Sequence, residues 1–136
     1  MKPWKISNIE IDNQLDLQLK ELFYQYAIGL KNITDGVLTG KLITEININQ
    51  SITYKFIITG FGINNLSLFD IEFNPGGKLY SVYANLGHTA LTNSCSKDSI
   101  EECIDKIISS DQMGLQIGHL VRVANIKRKN HIDDPI

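Results

Sequence analysis

The sequence predicts an α+β fold made of an N-terminal helix, an antiparallel sheet built from two hairpins, and two C-terminal helices. Three patterns predict it: apolar residues recur at helical spacing near the N-terminus, alternate with polar residues between positions 42 and 84, and return to helical spacing after position 99. The 136 residues suit a single domain spanning 1–136. With 43% hydrophobic residues, we expect a core that folds without a metal ion or a disulfide.

The first helix is predicted over residues 13–31. Asp12 or Asn13 is placed to act as its N-cap, and Gly36 follows its end. The residues before it, 6–11, fit a short edge strand. Its apolar face is formed by Leu15, Leu19, Leu22, Phe23, Tyr26, Ala27 and Leu30.

A first hairpin is predicted over residues 42–59, where apolar side chains alternate along both strands. A three-residue loop, 49–51, keeps the two apolar sets on one face, whereas a two-residue loop would separate them. In that register Glu45 lies directly opposite Lys55, so that charge pairing and apolar pairing agree. The other predicted pairs are Ile48 with Ile52, Ile46 with Tyr54, and Asn47 with Thr53.

A second hairpin is predicted around the turn at residues 74–77, where Pro75 and Gly76 supply the backbone angles of a tight turn. The segments 60–62 and 64–65, between the two hairpins, fit a loop or a bulge. The apolar face consists of Phe69, Ile71, Phe73, Tyr80, Val82 and Ala84, and the outward face of Asp70, Glu72, Ser81 and Tyr83.

Two helices are predicted to close the fold. The first spans residues 99–109, with Asp98 or Ser99 as its cap. For residues 112–128 a helix is favoured, because Ser110 and Asp111 can cap it and basic residues fall at its end; Gly114 and Gly118 weaken that prediction, and a closing strand is the alternative. The apolar stripe of the first helix is Ile100, Cys103, Ile104, Ile107 and Ile108.

The charge balance argues against a direct nucleic-acid binder, because 13 basic residues face 15 acidic ones. Residues 1–111 carry 13 acidic and nine basic side chains, whereas residues 112–136 carry two acidic and four basic ones. The basic cluster Lys127–Lys129 is expected to be a helix end facing water. Because no signal-peptide core and no stretch of membrane-spanning length is found, we expect a cytoplasmic protein.

Motifs of phosphate or metal chemistry are incomplete. The stretch 36–42 is one residue short of a phosphate-binding loop and ends in leucine. His88, His119 and His131 lack the spacing of metal ligands. We therefore expect no cofactor.

The cysteines give no disulfide framework. Cys103 is expected to be buried on the helical stripe, and Cys95 to be exposed in a polar stretch, where His88 would be its remote partner for nucleophilic chemistry. No nucleophile-elbow motif is present, and we expect a protein that is not an enzyme.

Acidic side chains form the most single-signed part of the chain. They are either a solvated helix face or a surface that meets a protein partner. The candidate partner-binding residues are Asp98, Glu101, Glu102 and Asp105, with Asp70 and Glu72 as additional members.

The composition, with 21 Ile, 12 Asn and 11 Lys against 2 Arg, is typical of AT-rich bacterial genes. A small, motif-free, mildly acidic α+β protein of this kind resembles the immunity proteins of bacterial contact-dependent growth inhibition. The resemblance is one of type and carries no motif. It implies a protein that binds a cognate toxin domain, often a nuclease, and blocks its active or substrate-binding surface. The alternatives are a small enzyme or ligand-binding α+β domain, and a secretion chaperone of the type III kind.

Overall fold

The computed structural model describes residues 9–73, 80–86 and 89–133. Over those residues the chain forms three α-helices and a five-stranded antiparallel sheet of order β1-β2-β3-β4-β5, which confirms the predicted α+β class. The elements are α1 (Ile9–Ile33), β1 (Leu38–Ile46), β2 (Ile52–Gly60), β3 (Ile63–Phe73), β4 (Tyr80–Leu86), β5 (Thr89–Cys95), a 3-10 turn (Lys97–Ser99), α2 (Ile100–Ile108) and α3 (Asp111–Asp133).

Helix α1 starts earlier than predicted. The segment 9–11, expected to belong to an edge strand, is helical, and the predicted caps Asp12 and Asn13 lie inside the helix; residues 6–8 lie outside the described residues. Within α1 the Asp16 carboxylate accepts a hydrogen bond from the Tyr54 hydroxyl of β2, which joins the helix to the sheet. At the other end Gly36 has φ +80° and its N–H donates to the Lys31 carbonyl at 2.8 Å, which terminates the helix as predicted.

The first hairpin has the predicted face but a different register. Ile46 pairs with Ile52, so that the loop comprises residues 47–51 and not 49–51. Asn47 closes this longer turn: its N–H donates to the Ser51 carbonyl at 2.9 Å, and its carbonyl accepts from the Gln50 N–H at 2.9 Å. The Asn47 side chain also donates to the Ser51 hydroxyl at 2.7 Å. Asn47 thus belongs to the turn, so the predicted strand pairs of Asn47 with Thr53 and of Ile48 with Ile52 do not form.

The register shift moves Glu45 away from the position directly opposite Lys55. Glu45 pairs with Thr53 and Lys55 with Ile43. Because the shift is two residues, every side chain stays on its predicted face. Glu45 and Lys55 are therefore diagonal neighbours and form an ion pair at 3.0 Å. Their predicted position on one face is confirmed, and their predicted direct pairing is wrong.

The third strand is longer than the predicted segment 69–73 because it includes residues 63–68. A register shift between Phe56 and Ile57 leaves Leu68 as an extra residue on β3, and both Leu68 and Phe69 are buried. The turn predicted at residues 74–77 lies outside the described residues. β5 was not predicted at all, because its sequence lacks an alternating apolar pattern.

The core lies between the helices and one face of the sheet. Phe56 and Phe69 stack with their ring centroids 5.2 Å apart, and Phe23 of α1 packs edge-on against both, at 5.8 and 5.3 Å. Other fully buried members are Leu19, Leu38, Ile58, Ile71, Val82, Ile100 and Ile104. The aromatic cluster therefore joins α1 to the centre of the sheet.

The C-terminal half of the prediction is confirmed as helical. In α2, Ile100, Ile104 and Ile107 are buried, as the apolar stripe predicts. In α3 the Ser110 hydroxyl accepts the Met113 N–H at 3.2 Å, which is the capping interaction expected at that position. None of the described helices is both long and apolar enough to cross a membrane.

Candidate functional site

The acidic surface consists of four residues of the 3-10 turn and α2, namely Asp98, Glu101, Glu102 and Asp105, and all four are exposed. Their exposure follows from the helical period, because the isoleucines of α2 occupy the face that packs on the sheet. Glu102 and Lys106 form an ion pair at 3.5 Å, and both side chains are more than 70% exposed, with values of 71% and 76%. Such a pair contributes little to stability. The sequence therefore identified a surface that remains open to solvent.

Asp105 differs from the other members of the acidic surface, because it accepts a hydrogen bond from the Tyr26 hydroxyl of α1. Burial of Tyr26, this hydrogen bond, and the negative charges of Asp105 and Glu101 all raise the pKa of the Tyr26 phenol above its ordinary value. The phenol therefore stays protonated and continues to donate. Asp105 thus connects α2 to α1 and has a structural role that the sequence did not indicate.

Asp70 and Glu72 lie on the other side of the sheet from α2. They pair with Tyr83 and Ser81, with which they share the outward face as predicted. The residues that alternate with them, such as Ile71, point into the core beneath the helices. The six predicted partner-binding residues therefore do not form one surface.

Asp70 is also partly neutralised. The Ser67 hydroxyl donates to its carboxylate, and Lys55 lies beside it in the β2–β3 pairing. A hydrogen bond from Lys55 to Glu45, together with the negative charges of Glu45 and Asp70, outweighs desolvation and raises the pKa of the Lys55 ammonium. Lys55 thus serves two carboxylates, which reduces the acidic character of this face.

A second candidate site is an apolar cleft between α1 and α3, with a volume of about 520 Å³. We call it the helical cleft. Its floor is formed by Phe56, Leu68 and Phe69 of the sheet, and none of the residues that line it carries a charge. The α1 wall includes Gln25, Tyr26, Gly29, Leu30, Ile33 and Thr34, and the other wall includes Ile108, Met113, Gly114, Ile117, Gly118 and Val121.

The two helices that form the walls of the helical cleft, α1 and α3, run parallel to each other. Tyr26 of α1 contacts Asp105 at the α2 end of the cleft, while Asp35 after α1 and Ala124 of α3 line a common pocket at the far end. The two helices make little direct contact with each other along this path. The cleft is therefore a groove between the two helices, and the residues at its bottom, Phe56, Leu68 and Phe69, are themselves buried.

Three helical glycines widen this cleft. At Gly29, Gly114 and Gly118 an added Cβ would meet no atom within 4 Å. Glycine inside a helix costs about 1 kcal/mol relative to alanine, and packing within the described chain does not require it at these positions. The glycines therefore keep the cleft open at a cost to helix stability.

Two further grooves have a different character. The groove between α1 and the edge of β1 has a volume of about 790 Å³, but Lys20, Glu21 and Lys41 line it. The pocket at the far end of the sheet has a volume of about 370 Å³ and is lined by Asp35 and Arg128, among others. Neither groove has the uncharged aromatic floor of the helical cleft.

The structure corrects the prediction for Cys95, which is buried at 4% exposure and not exposed. Cys103 is half-buried. Burial and a hydrogen bond with Cys103 raise the pKa of the Cys95 thiol to about 12, so the thiolate needed for nucleophilic chemistry is scarce at neutral pH. The side chain of His88, the proposed partner, lies outside the described residues.

The glycines of the incomplete phosphate loop have structural roles. Gly36 ends α1, and Gly40 lies beneath the Phe56 ring, where a Cβ would approach Cζ to 2.5 Å. The basic cluster Lys127–Lys129 is exposed on α3, as expected, and Lys127 donates to the Gly62 carbonyl at 2.8 Å. Among the described residues, no group of three or more His, Cys, Asp or Glu side chains could hold a metal ion.

The helical cleft was not predicted, although the sequence holds a signal for it. Gly114 and Gly118 interrupt an otherwise helical pattern, which by itself argues only against a helix. Two glycines one turn apart lie on the same helix face. Because α3 forms although both glycines lower helix stability, they indicate a helix face with open space beside it.

The chain matches no family model, and searches among curated proteins and solved structures also found no match.

Proposed function

We propose that this chain is a non-enzymatic inhibitor that binds a cognate bacterial toxin domain, a nuclease, and covers its active or substrate-binding surface. The observation that carries the proposal is the exposure of Asp98, Glu101 and Glu102 on one short segment. The immunity proteins that the sequence resembles act in this way.

The physical argument is electrostatic complementarity. A nuclease must attract phosphate and therefore offers a basic cleft, which an acidic protein surface can occupy. Complementary charge accelerates association and makes it sensitive to salt, whereas buried apolar anchors supply most of the affinity. The contact between Asp105 and Tyr26 joins the acidic surface to one end of the helical cleft, so charged and apolar binding groups are adjacent.

The test compares two charge-matched double variants. Glu101→Gln with Glu102→Gln removes two charges from the acidic surface, and Asp70→Asn with Glu72→Gln removes two from the opposite side of the sheet. Asp105 is left unchanged because it holds Tyr26. We expect the first variant to associate about three to ten times more slowly with the toxin domain encoded beside the gene, at low salt. The second variant should associate at the wild-type rate.

Stopped-flow association rates at several salt concentrations provide the measurement. Equal rates for wild type and the first variant would mean that the acidic surface is only a solvated helix face. A slower rate for the second variant alone would assign binding to Asp70 and Glu72. Wild-type protein that neither binds the neighbouring toxin nor protects cells against it would refute the inhibitor function itself.

A further inference from the structure

The helical cleft has the properties of a ligand site and not only those of a packing defect. Small-molecule sites are mostly apolar concavities of about 300–1,000 Å³ with a few polar groups, and the cleft, at about 520 Å³, falls in this range. Along α1 it extends from Tyr26 to Thr34, or roughly 12 Å at the helical rise. A channel of that shape suits an unbranched chain better than a compact ring system.

The polar groups of the cleft are unevenly distributed. At the far end the Thr34 hydroxyl is occupied, since it donates to the Leu30 carbonyl at 2.8 Å and accepts the Leu38 N–H at 3.1 Å. At the near end, at α2, the Gln25 amide and the Tyr26 phenol donate to carboxylates, and their oxygens can still accept a hydrogen bond from a ligand. A ligand with one polar head would therefore place that head at the near end.

The charges around the near end are negative. Gln25 donates to the Glu21 carboxylate at 3.1 Å, and Tyr26 donates to Asp105 and lies in the field of Glu101. Three carboxylates thus surround the end of the cleft that offers polar groups. Their field favours a cationic head and disfavours an anionic one.

We infer that the helical cleft binds an unbranched alkyl chain with a cationic head group, with the chain between Ile33 of α1 and Ile117 and Val121 of α3 and the head at the Gln25–Tyr26 end. The walls supply apolar contact without charge, and Gly29, Gly114 and Gly118 supply the width. The site adjoins the acidic surface on α2, because Glu101 and Asp105, whose charges act at its near end, belong to both. It gives the chain a ligand-binding activity in addition to the proposed inhibition.

The probes are octylammonium, octanol and octanoate, which share one chain and differ in head-group charge. Met113 is buried at 2% exposure and lines the cleft, and the sequence has only 2 methionines. Labelling the methionine methyl groups with ¹³C therefore gives a reporter in the cleft. We expect the Met113 signal to move with increasing probe.

The expected order of affinity is octylammonium, then octanol, then octanoate. Lengthening the alkylammonium chain from six to eight carbons should tighten binding about threefold for each methylene, because each buries apolar surface. Octanoate binding best, or a failure of Met113 to respond to any of the three probes, would overturn the inference.

Three leucine variants locate the probe. Gly118→Leu and Gly29→Leu fill the cleft from opposite walls, and each should weaken octylammonium binding at least about tenfold. Because a Cβ has free space at both positions and glycine is replaced inside a helix, we expect neither variant to be less stable than the wild type in thermal melts. Gln112→Leu is the control, since Gln112 is exposed on α3 and does not line the cleft.

Undiminished binding by both filled variants would place the probe elsewhere and overturn the inference. The same conclusion would follow if the Met113 signal moved with protein concentration in the absence of probe. A second copy of the chain would then be the occupant of the cleft.

Discussion

Replacing Gly40 by alanine should destabilise the protein, although alanine is ordinarily harmless in a strand. Gly40 lies on the core face of β1, and an added Cβ would stand 2.5 Å from Cζ of Phe56, and 3.1 and 3.2 Å from its two Cε atoms. The Phe56 ring is 2% exposed and contacts the rings of both Phe23 and Phe69, so it cannot move away from Gly40 without displacing them. The aromatic cluster must shift as a group to admit one methyl group.

The magnitude follows from two opposing effects. Overpacking a well-packed core costs about 1–3 kcal/mol, and alanine recovers about 0.5–1 kcal/mol through the smaller backbone entropy of the unfolded chain. We therefore expect Gly40→Ala to lower the free energy of unfolding by about 1–2 kcal/mol. For a domain of this size the unfolding midpoint should fall by roughly 3–7 °C.

Urea unfolding followed by circular dichroism measures this change, with an unaltered m-value as the sign that only stability has changed. The double variant Gly40→Ala with Phe56→Leu tests the cause. Leucine lacks the ring edge that meets the new methyl group, so Gly40→Ala should cost less in that background than in the wild type. A Gly40→Ala protein as stable as wild type, or more stable, would refute the reasoning.

Three further changes have defined outcomes. Gly114→Ala should raise the unfolding midpoint by a few degrees in thermal melts, because the new methyl group meets nothing and the helix gains propensity; a loss of stability would contradict the open cleft. The pKa of Tyr26 is raised in the folded state, so its contribution is complete below pH 10.0 and is lost as the pH rises further; Tyr26→Phe should make the alkaline fall in urea stability shallower, and an unchanged slope would exclude this contribution. Iodoacetamide at pH 8 should modify Cys103 before Cys95 in the folded protein, as read by peptide mass spectrometry, because burial suppresses the Cys95 thiolate; equal rates would show that Cys95 is accessible.

The sequence predicted the helices and the faces of the strands well, because both depend on local periodicity. It failed where a tertiary or turn interaction decided the outcome. The hairpin register depends on Asn47 joining the turn, and the hydrogen bond from Tyr54 to Asp16 joins residues 38 positions apart, which no local pattern reveals. Strand β5 pairs with β4 without an apolar pattern of its own, so no periodicity could reveal it.

The candidate site was predicted only in part. The sequence identified the acidic residues of α2, because charge is visible without a structure. It could not show that Asp105 is held by Tyr26, or that Asp70 and Glu72 lie across the sheet from α2. The helical cleft arises from residues of four separated segments, and its sequence signal was the presence of Gly114 and Gly118 in a helix. No motif along the sequence shows that these segments enclose a cleft.

The strands lie side by side in the same order in which the ribosome makes them, β1 to β5. Each new strand needs only the one before it, so the sheet can assemble by successive short loop closures, which is the fast regime of folding. Helices α2 and α3 are synthesised last, and the hydrogen bond between Tyr26 and Asp105 joins residues 79 positions apart. During synthesis α1 can already cover Phe56 and Phe69 through Phe23, whereas the core face of β4, which bears Tyr80 and Val82, stays uncovered until α2 and α3 emerge. Over that interval the nascent chain is most exposed to aggregation and to capture by chaperones.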